Sequence, residues 1–236
     1  MKMVFTLLFL MTAWISRSQK VIDVDKETVN PTQGLFDVVG GTPFSYAKYV
    51  RVVDGTPFFS ETWMTGSLIL PGGTHYDGLR LRLDLIDNKV HFLDKSGTTM
   101  VATSPIAEMW LTDSANGTKY HFVNASALSV FQPPGNSWYQ SLTEGPVLLL
   151  KEFSKKMEER SVYGSATAEQ HIKTYFNYFL AADKSTIPIK KLGTITEVLA
   201  GKKEVLEKFI SNNHLNGKKE TDMVRLVDYY NSLPVK

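Results

Sequence analysis

Leu79-Arg80-Leu81-Arg82-Leu83-Asp84-Leu85 places leucine at alternate positions with one charged residue in each gap. Successive side chains on a strand point to opposite faces, so the run predicts a strand with a leucine face and a charged face. Asp87-Asn88-Lys89 supplies turn chemistry, and Val90-His91-Phe92-Leu93 returns as a second strand. Asp94-Lys95-Ser96-Gly97 turns again before Thr98 to Thr103. Short runs at this spacing predict an antiparallel β-meander, as an open sheet or a roll, within a mainly β, α+β fold.

Upstream, Val38-Val39-Gly40-Gly41-Thr42-Pro43-Phe44 recurs as Val52-Val53-Asp54-Gly55-Thr56-Pro57-Phe58. A β-branched pair, a glycine turn and a proline read as two successive strand–turn units, too few for a solenoid. Residues 19–34 are polar and read as a loose lead-in. Downstream, Met109 to Thr112 and Lys119 to Asn124 predict strands about the turn Ser114-Ala115-Asn116-Gly117, and Gln132-Pro133-Pro134-Gly135-Asn136 predicts a loop. Val147 to Met157 fits a buried strand or a short helix, and the preceding Gly145-Pro146 favours the strand. Thr174 to Leu180 and Thr186 to Lys191 predict a hairpin across Ala182-Asp183-Lys184, with Pro188 on its edge side.

At Gly193 the period changes. Thr194 and Glu197 have capping-box spacing, and Gly201 ends that short helix. Val205, Leu206, Phe209 and Ile210 predict a second helix ending near Asn216-Gly217. Met223, Leu226, Val227 and Tyr230 give the stripe of a third. A segment this short cannot bury those faces alone, so residues 193–236 are expected to dock on a β domain spanning 19–192.

Residues 1–18 have the order of a secretory signal: Lys2, an apolar run from Val4 to Ile15, then Ser16-Arg17-Ser18 before Gln19. The run is shorter than the about 20 residues of a membrane span. The expected product is therefore exported, periplasmic or extracellular, and not inserted in the membrane after cleavage. Removing Lys2 and Arg17 leaves 24 basic residues against 24 acidic ones. That balance argues against nucleic acid and against polybasic membrane attachment as partners. Cysteine is absent, which excludes disulfides, thiolate metal sites and thiol catalysis.

The stretch Gly55-Thr56-Pro57-Phe58-Phe59, then Trp63, Gly66, Tyr76, the Leu79–Leu85 strand and the Asp87–Phe92 return, resembles a group of exported proteins from Bacteroidota. The ending Asp228-Tyr229-Tyr230-Asn231-Ser232-Leu233 and the glutamine after the cleavage position are similar to the same group. The resemblance implies a bacterial periplasm or cell exterior and a β sheet with a helical end. The group carries no assigned activity and hands over no catalytic residue.

Candidate chemistry is sparse. His75, His91, His121, His171 and His214 share no metal spacing, so no metal and no cofactor are expected. His91 and His121 each precede a phenylalanine in a strand. They read either as polar residues on a wet sheet face or as a site assembled across strands with Asp84 or Asp94. No Gly-x-Ser-x-Gly elbow occurs; Tyr163-Gly164-Ser165-Ala166-Thr167 is the nearest segment and reads as a loop. Asp23-Val24-Asp25-Lys26-Glu27 lacks the glycine and remaining ligands of a calcium loop. Rings on exported β proteins more often fill cores, but they also bind sugars and peptides, which makes Trp63, Trp110 and Trp138 candidates. Arg80, Arg82 and Asp84 read as an exposed charged stripe. The candidate ligand-binding residues are thus Trp63, Arg80, Arg82, His91, Trp110, His121 and Trp138. The function expected is non-enzymatic binding of a glycan or a protein partner in the envelope. The alternative is a hydrolase of glycans or esters with residues assembled across strands.

Overall fold

The structure is a computed structural model that describes residues 21–23, 41–44, 48–49, 51–135, 137–161, 168–217 and 219–234. Its strands are β1 (Val21–Asp23), β2 (Gly41–Pro43), β3 (Val52–Asp54), β4 (Met64–Ile69), β5 (His75–Asp84), β6 (Lys89–Leu93) and β7 (Thr99–Ala102). They continue as β8 (Glu108–Thr112), β9 (Lys119–Asn124), β10 (Trp138–Ser141), β11 (Leu148–Arg160), β12 (Glu169–Ala182) and β13 (Ser185–Ile189). Three α-helices follow: α1 (Leu192–Val198), α2 (Lys203–Asn212) and α3 (Glu220–Ser232).

All these strands share one mixed sheet in the order β13-β12-β11-β10-β9-β8-β4-β5-β6-β7-β2, with β1 beside β5 and β3 beside β12. The fold is mainly β, and the meander expected from Leu79 onward is real: β4 to β7 are sequential neighbours, as are β8 to β13. Pairing of β4 with β8 joins the two runs. Only β1 and β3 pair in parallel, and this makes the sheet mixed. The lead-in expected to be loose contains β1. Residues 148–157 form a strand inside β11, which pairs with β12 without a break from Leu148–Ala181 to Arg160–Glu169. Asp183 and Lys184, both left-handed at φ 47° and 61°, make the two-residue turn that matches hairpin twist. Pro188 lies on the terminal strand, where no ladder bond is lost.

The leucine face behaves as the alternation requires. Leu79, Leu81 and Leu83 are buried with Met64, Leu68, Phe92, Met109, Leu111 and Phe122 in one core. A second core sits where the helices cover β11, β12 and β13. Ile195, Leu206, Met223, Leu226 and Val227 meet Val147, Leu149, Leu180 and Ile189 there. Burying each such side chain contributes about 1.5–3 kcal/mol, which an isolated helical tail could not recover. Polar clamps fix the seam. The Glu220 carboxylate accepts from Lys151 Nζ and Tyr178 Oη, both at 2.6 Å. The Asn231 amide accepts from the Val147 N–H and donates to the Val147 and Glu144 carbonyls.

Three local expectations fail. The capping box does not form: α1 starts at Leu192 without a side-chain cap, because β13 runs straight into the helix through Lys190-Lys191. Helix α2 stops at Asn212, and Asn213 Nδ2 turns back to the Phe209 carbonyl. The repeat copies, by contrast, each hold a short strand as read, β2 on β7 and β3 on β12. The charged stripe is solvated at Arg80 but not at Arg82 and Asp84, for the reason given below. Tyr163 to Thr167 lies outside the described residues.

Candidate functional site

The β5–β6 register sets Arg82 opposite His91, so both project from the side of the sheet opposite the leucines, with Asp84 two residues on. Residues 57–59 extend the line of β4 along the end of β5, with Phe59 N–H bonded to Leu83 and Leu85 N–H to Pro57. This drops Phe58 onto the charged face and Phe59 onto the leucine face. Phe59 there meets Tyr120, Phe122 and Phe153 edge to face. The stripe is roofed as a result. Arg82, Asp84 and His91 are 8%, 0% and 1% exposed, while Arg80, beyond the roof, is open to solvent.

Under the roof the polar groups answer one another. Asp84 Oδ1 accepts from the Ile86 and Asp87 N–H groups, and Oδ2 accepts from Tyr49 Oη at 2.9 Å. His91 Nε2 stands 4.0 Å from the same Oδ2, and its Nδ1 has no hydrogen-bond partner among the described residues. The Arg82 guanidinium is 3.6 Å from the Phe58 ring centroid and 4.5 Å from that of Trp63. Lys155 Nζ donates to the Thr56 and Phe58 carbonyls. Burial lowers the His91 imidazole to about 4, lowers the Lys155 ammonium and raises the Tyr49 phenol, the last helped by Asp84. The expectation that His91 lies on a wet face is corrected: Phe44 and Phe58 cover it. Arg82 links Trp63 to this seam, in which Arg82 and His91 are buried and Trp63 is half-buried.

A second grouping faces solvent. On β8 and β9 the register opposes Trp110 and His121, and on β10 Ser141 opposes His121. The Trp110 and His121 rings stack at 4.1 Å and 8°. His121 Nε2 lies 2.9 Å from Glu108 Oε2, so its carboxylate partner is Glu108 and not Asp94. Asp94 is used up in its own turn, accepting from Ser96 and Thr98. Trp110 and His121 line a cleft of about 470 Å³ whose rim carries Lys119, Ser141, Thr143, Glu144 and Asp228. Burial, and then the nearby Glu144 carboxylate, raises the Asp228 carboxyl. Trp138 belongs to neither group. It is 2% exposed in the leucine core, with Nε1 donating to the Asn88 carbonyl.

Of the sequence candidates, then, Trp110 and His121 form the open site. Glu108 is legible beside them, since it shares their strand face by alternation. Glu144 and Asp228 come from a turn and from α3, and no local pattern marks them. Among the described residues no group of His, Asp and Glu could hold a metal ion, and no helix is long and apolar enough to cross a membrane. Comparison with protein-family models, curated proteins and solved structures finds no match to the chain.

Proposed function

We propose that this is an exported binding protein of the bacterial envelope that takes a polar, ring-bearing ligand of the glycan type in the Trp110–His121 cleft. Export rests on the Lys2, Val4–Ile15 and Ser16-Arg17-Ser18 order. The observation that carries the binding reading is the half-buried indole stacked on His121 in an open cleft rimmed by hydroxyl, ammonium and carboxylate groups. An aromatic face suits the C–H face of a sugar ring, and such a rim suits its hydroxyls. Titrating the protein with a panel of oligosaccharides, including amino-sugar polymers, should change the tryptophan fluorescence for at least one of them. Trp110→Ala should abolish that response without lowering the melting temperature by more than a few degrees. A panel with no response, or one that Trp110→Ala leaves intact, overturns the assignment.

One observation favours a hydrolase instead. The Asp228 carboxyl, held protonated to higher pH beside Glu144 on the same rim, has the asymmetry that acid–base hydrolysis of a glycoside uses. Turnover of chromogenic glycosides that disappears in Asp228→Asn and Glu144→Gln would move the assignment from binder to enzyme.

A further inference from the structure

Among the described residues, strand β12 has a neighbour along the whole of one side and along only parts of the other. On its open side β13 pairs no further than Tyr178, and β3 no further than His171. The Gln170 N–H bonds to the Arg51 carbonyl of the β3 side. Pairing with β11 continues through β12 without a bulge, so alternate residues from Gln170 onward aim their backbone groups the same way. The Ile172 carbonyl fits this, since it lies where a Cβ on Gly55 would stand, at 2.1 Å. Thr174 and Phe176 therefore direct N–H and C=O at an edge that no described strand covers.

The side chains at this gap are also left open. Phe176 is 54% exposed and Tyr175 47%, on opposite faces of the ribbon. Beside the edge Phe176, Tyr178, Ile189 and Met223 line an apolar cleft of about 320 Å³, and exposed Lys190 stands at its rim with no ion-pair partner among the described residues. A bare edge with apolar side chains is a template for another strand. Its place in the sheet decides which kind. The gap runs about 20 Å between the ends of β3 and β13, room for a single segment of about six residues. The same edge of a second copy is recessed behind its own β3 and β13, so two copies cannot pair here.

We propose that the Thr174–Phe176 edge is a docking site for one extended segment of a partner protein. The segment adds as a strand, sets an apolar side chain in the Phe176–Met223 cleft and brings a carboxylate to Lys190. Backbone pairing supplies the affinity, and the cleft and the lysine supply the choice of sequence. The surface is separate from the Trp110 cleft and does not depend on its ligand.

Selection of a phage-displayed random-peptide library on the full chain tests this. Enriched peptides should alternate apolar and polar residues and carry an acid, and a synthetic representative should lose at least about tenfold in affinity against Thr174→Pro and against Lys190→Glu. Proline at 174 removes only the edge N–H, which sheet edges tolerate. Phe176→Asp should cause the same loss with no change of backbone. Peptides that bind Thr174→Pro and Phe176→Asp as well as the native chain, or no enrichment at all, overturn the site. Sedimentation showing a dimer that Thr174→Pro dissolves overturns the recessed-edge argument and makes a second copy the occupant.

Discussion

Phe44 and Phe58, the last residues of the two Gly-Thr-Pro-Phe copies, meet edge to face with ring centroids 6.5 Å apart, and both pack on the His91 imidazole, at 4.4 and 5.3 Å. The repeat thus delivers the same residue twice to one place. Its two short strands attach to distant parts of the sheet, β2 on β7 and β3 on β12, while the phenylalanines converge over the charged face of β5 and β6.

The converging rings give the fold an acid limit. Burial holds His91 near 4 against an ordinary 6.5, so between those values the unfolded chain binds a proton that the folded chain refuses. Stability should be complete above about pH 6.5 and decline as pH falls towards 4, by on the order of 3 kcal/mol. Urea denaturation at several pH values checks this, and His91→Gln should flatten the dependence. An equal slope in that variant would assign the effect to other groups.

Tyr49→Phe should destabilise the protein by about 1–3 kcal/mol in the same measurement. The phenol is the hydrogen-bond donor to Asp84 Oδ2, and the carboxylate, fully buried, has no water to take its place. A loss below about half a kcal/mol would mean that the roof opens to solvent at Tyr49.

Gly55 and Gly97 make a matched pair. Both are left-handed, at φ 77° and 81°, but a Cβ on Gly55 would strike the Ile172 carbonyl while one on Gly97 meets open space. Gly97→Ala should cost about 1 kcal/mol for backbone conformation alone. Gly55→Ala should cost clearly more, because β3 must also withdraw from β12. Equal thermal shifts in the two variants would show that this close approach carries no stability.

The helical tail should be inseparable from the sheet. Leu226→Ala removes a fully buried side chain and should cost about 2–5 kcal/mol. Phe209→Ala should cost less, since Phe209 is half-buried and stacks on Tyr229 at the outer side of the bundle. Asn231→Ala leaves the buried Val147 N–H without an acceptor and should cost about 1–3 kcal/mol. Removing residues 193–236 bares Leu149, Leu180 and Ile189 and should yield an aggregating chain. A soluble truncate with an unchanged cooperative melt would overturn the docking.

Alternation and turn chemistry made the strands from Leu79 to Asn124 legible, because both act over a few residues. The same alternation put Arg82, Asp84 and His91 on one face correctly and their surroundings wrongly. What covers a face is decided by residues far away in the chain, here Phe44, Tyr49 and Phe58. The failed capping box is a similar case: Thr194 and Glu197 have the spacing, but the chain enters α1 directly from β13. In the open site, Trp110 and His121 stood out by residue type, yet their stacking needs the β8–β9 register. Asp228 reaches the cleft only because its helix turns Leu226 and Val227 inward.

The long reach of β3 bears on how the chain attains its structure. Arg51 pairs with Gln170 across 119 positions, and Lys155 ties down the carbonyls of Thr56 and Phe58 from almost as far. Such closures come late and slowly, because loop entropy is spent before the contacts form. Until β11 and β12 arrive, β3 has no strand to pair with and the Thr56 and Phe58 carbonyls lack Lys155, although Pro57 and Phe59 already have β5 to bond to. A chain emerging from its amino end therefore passes through a half-built sheet with β3 still unpaired. The clasping of an early segment by a late hairpin is then expected last, and mutations in that clasp should speed unfolding more than they slow refolding.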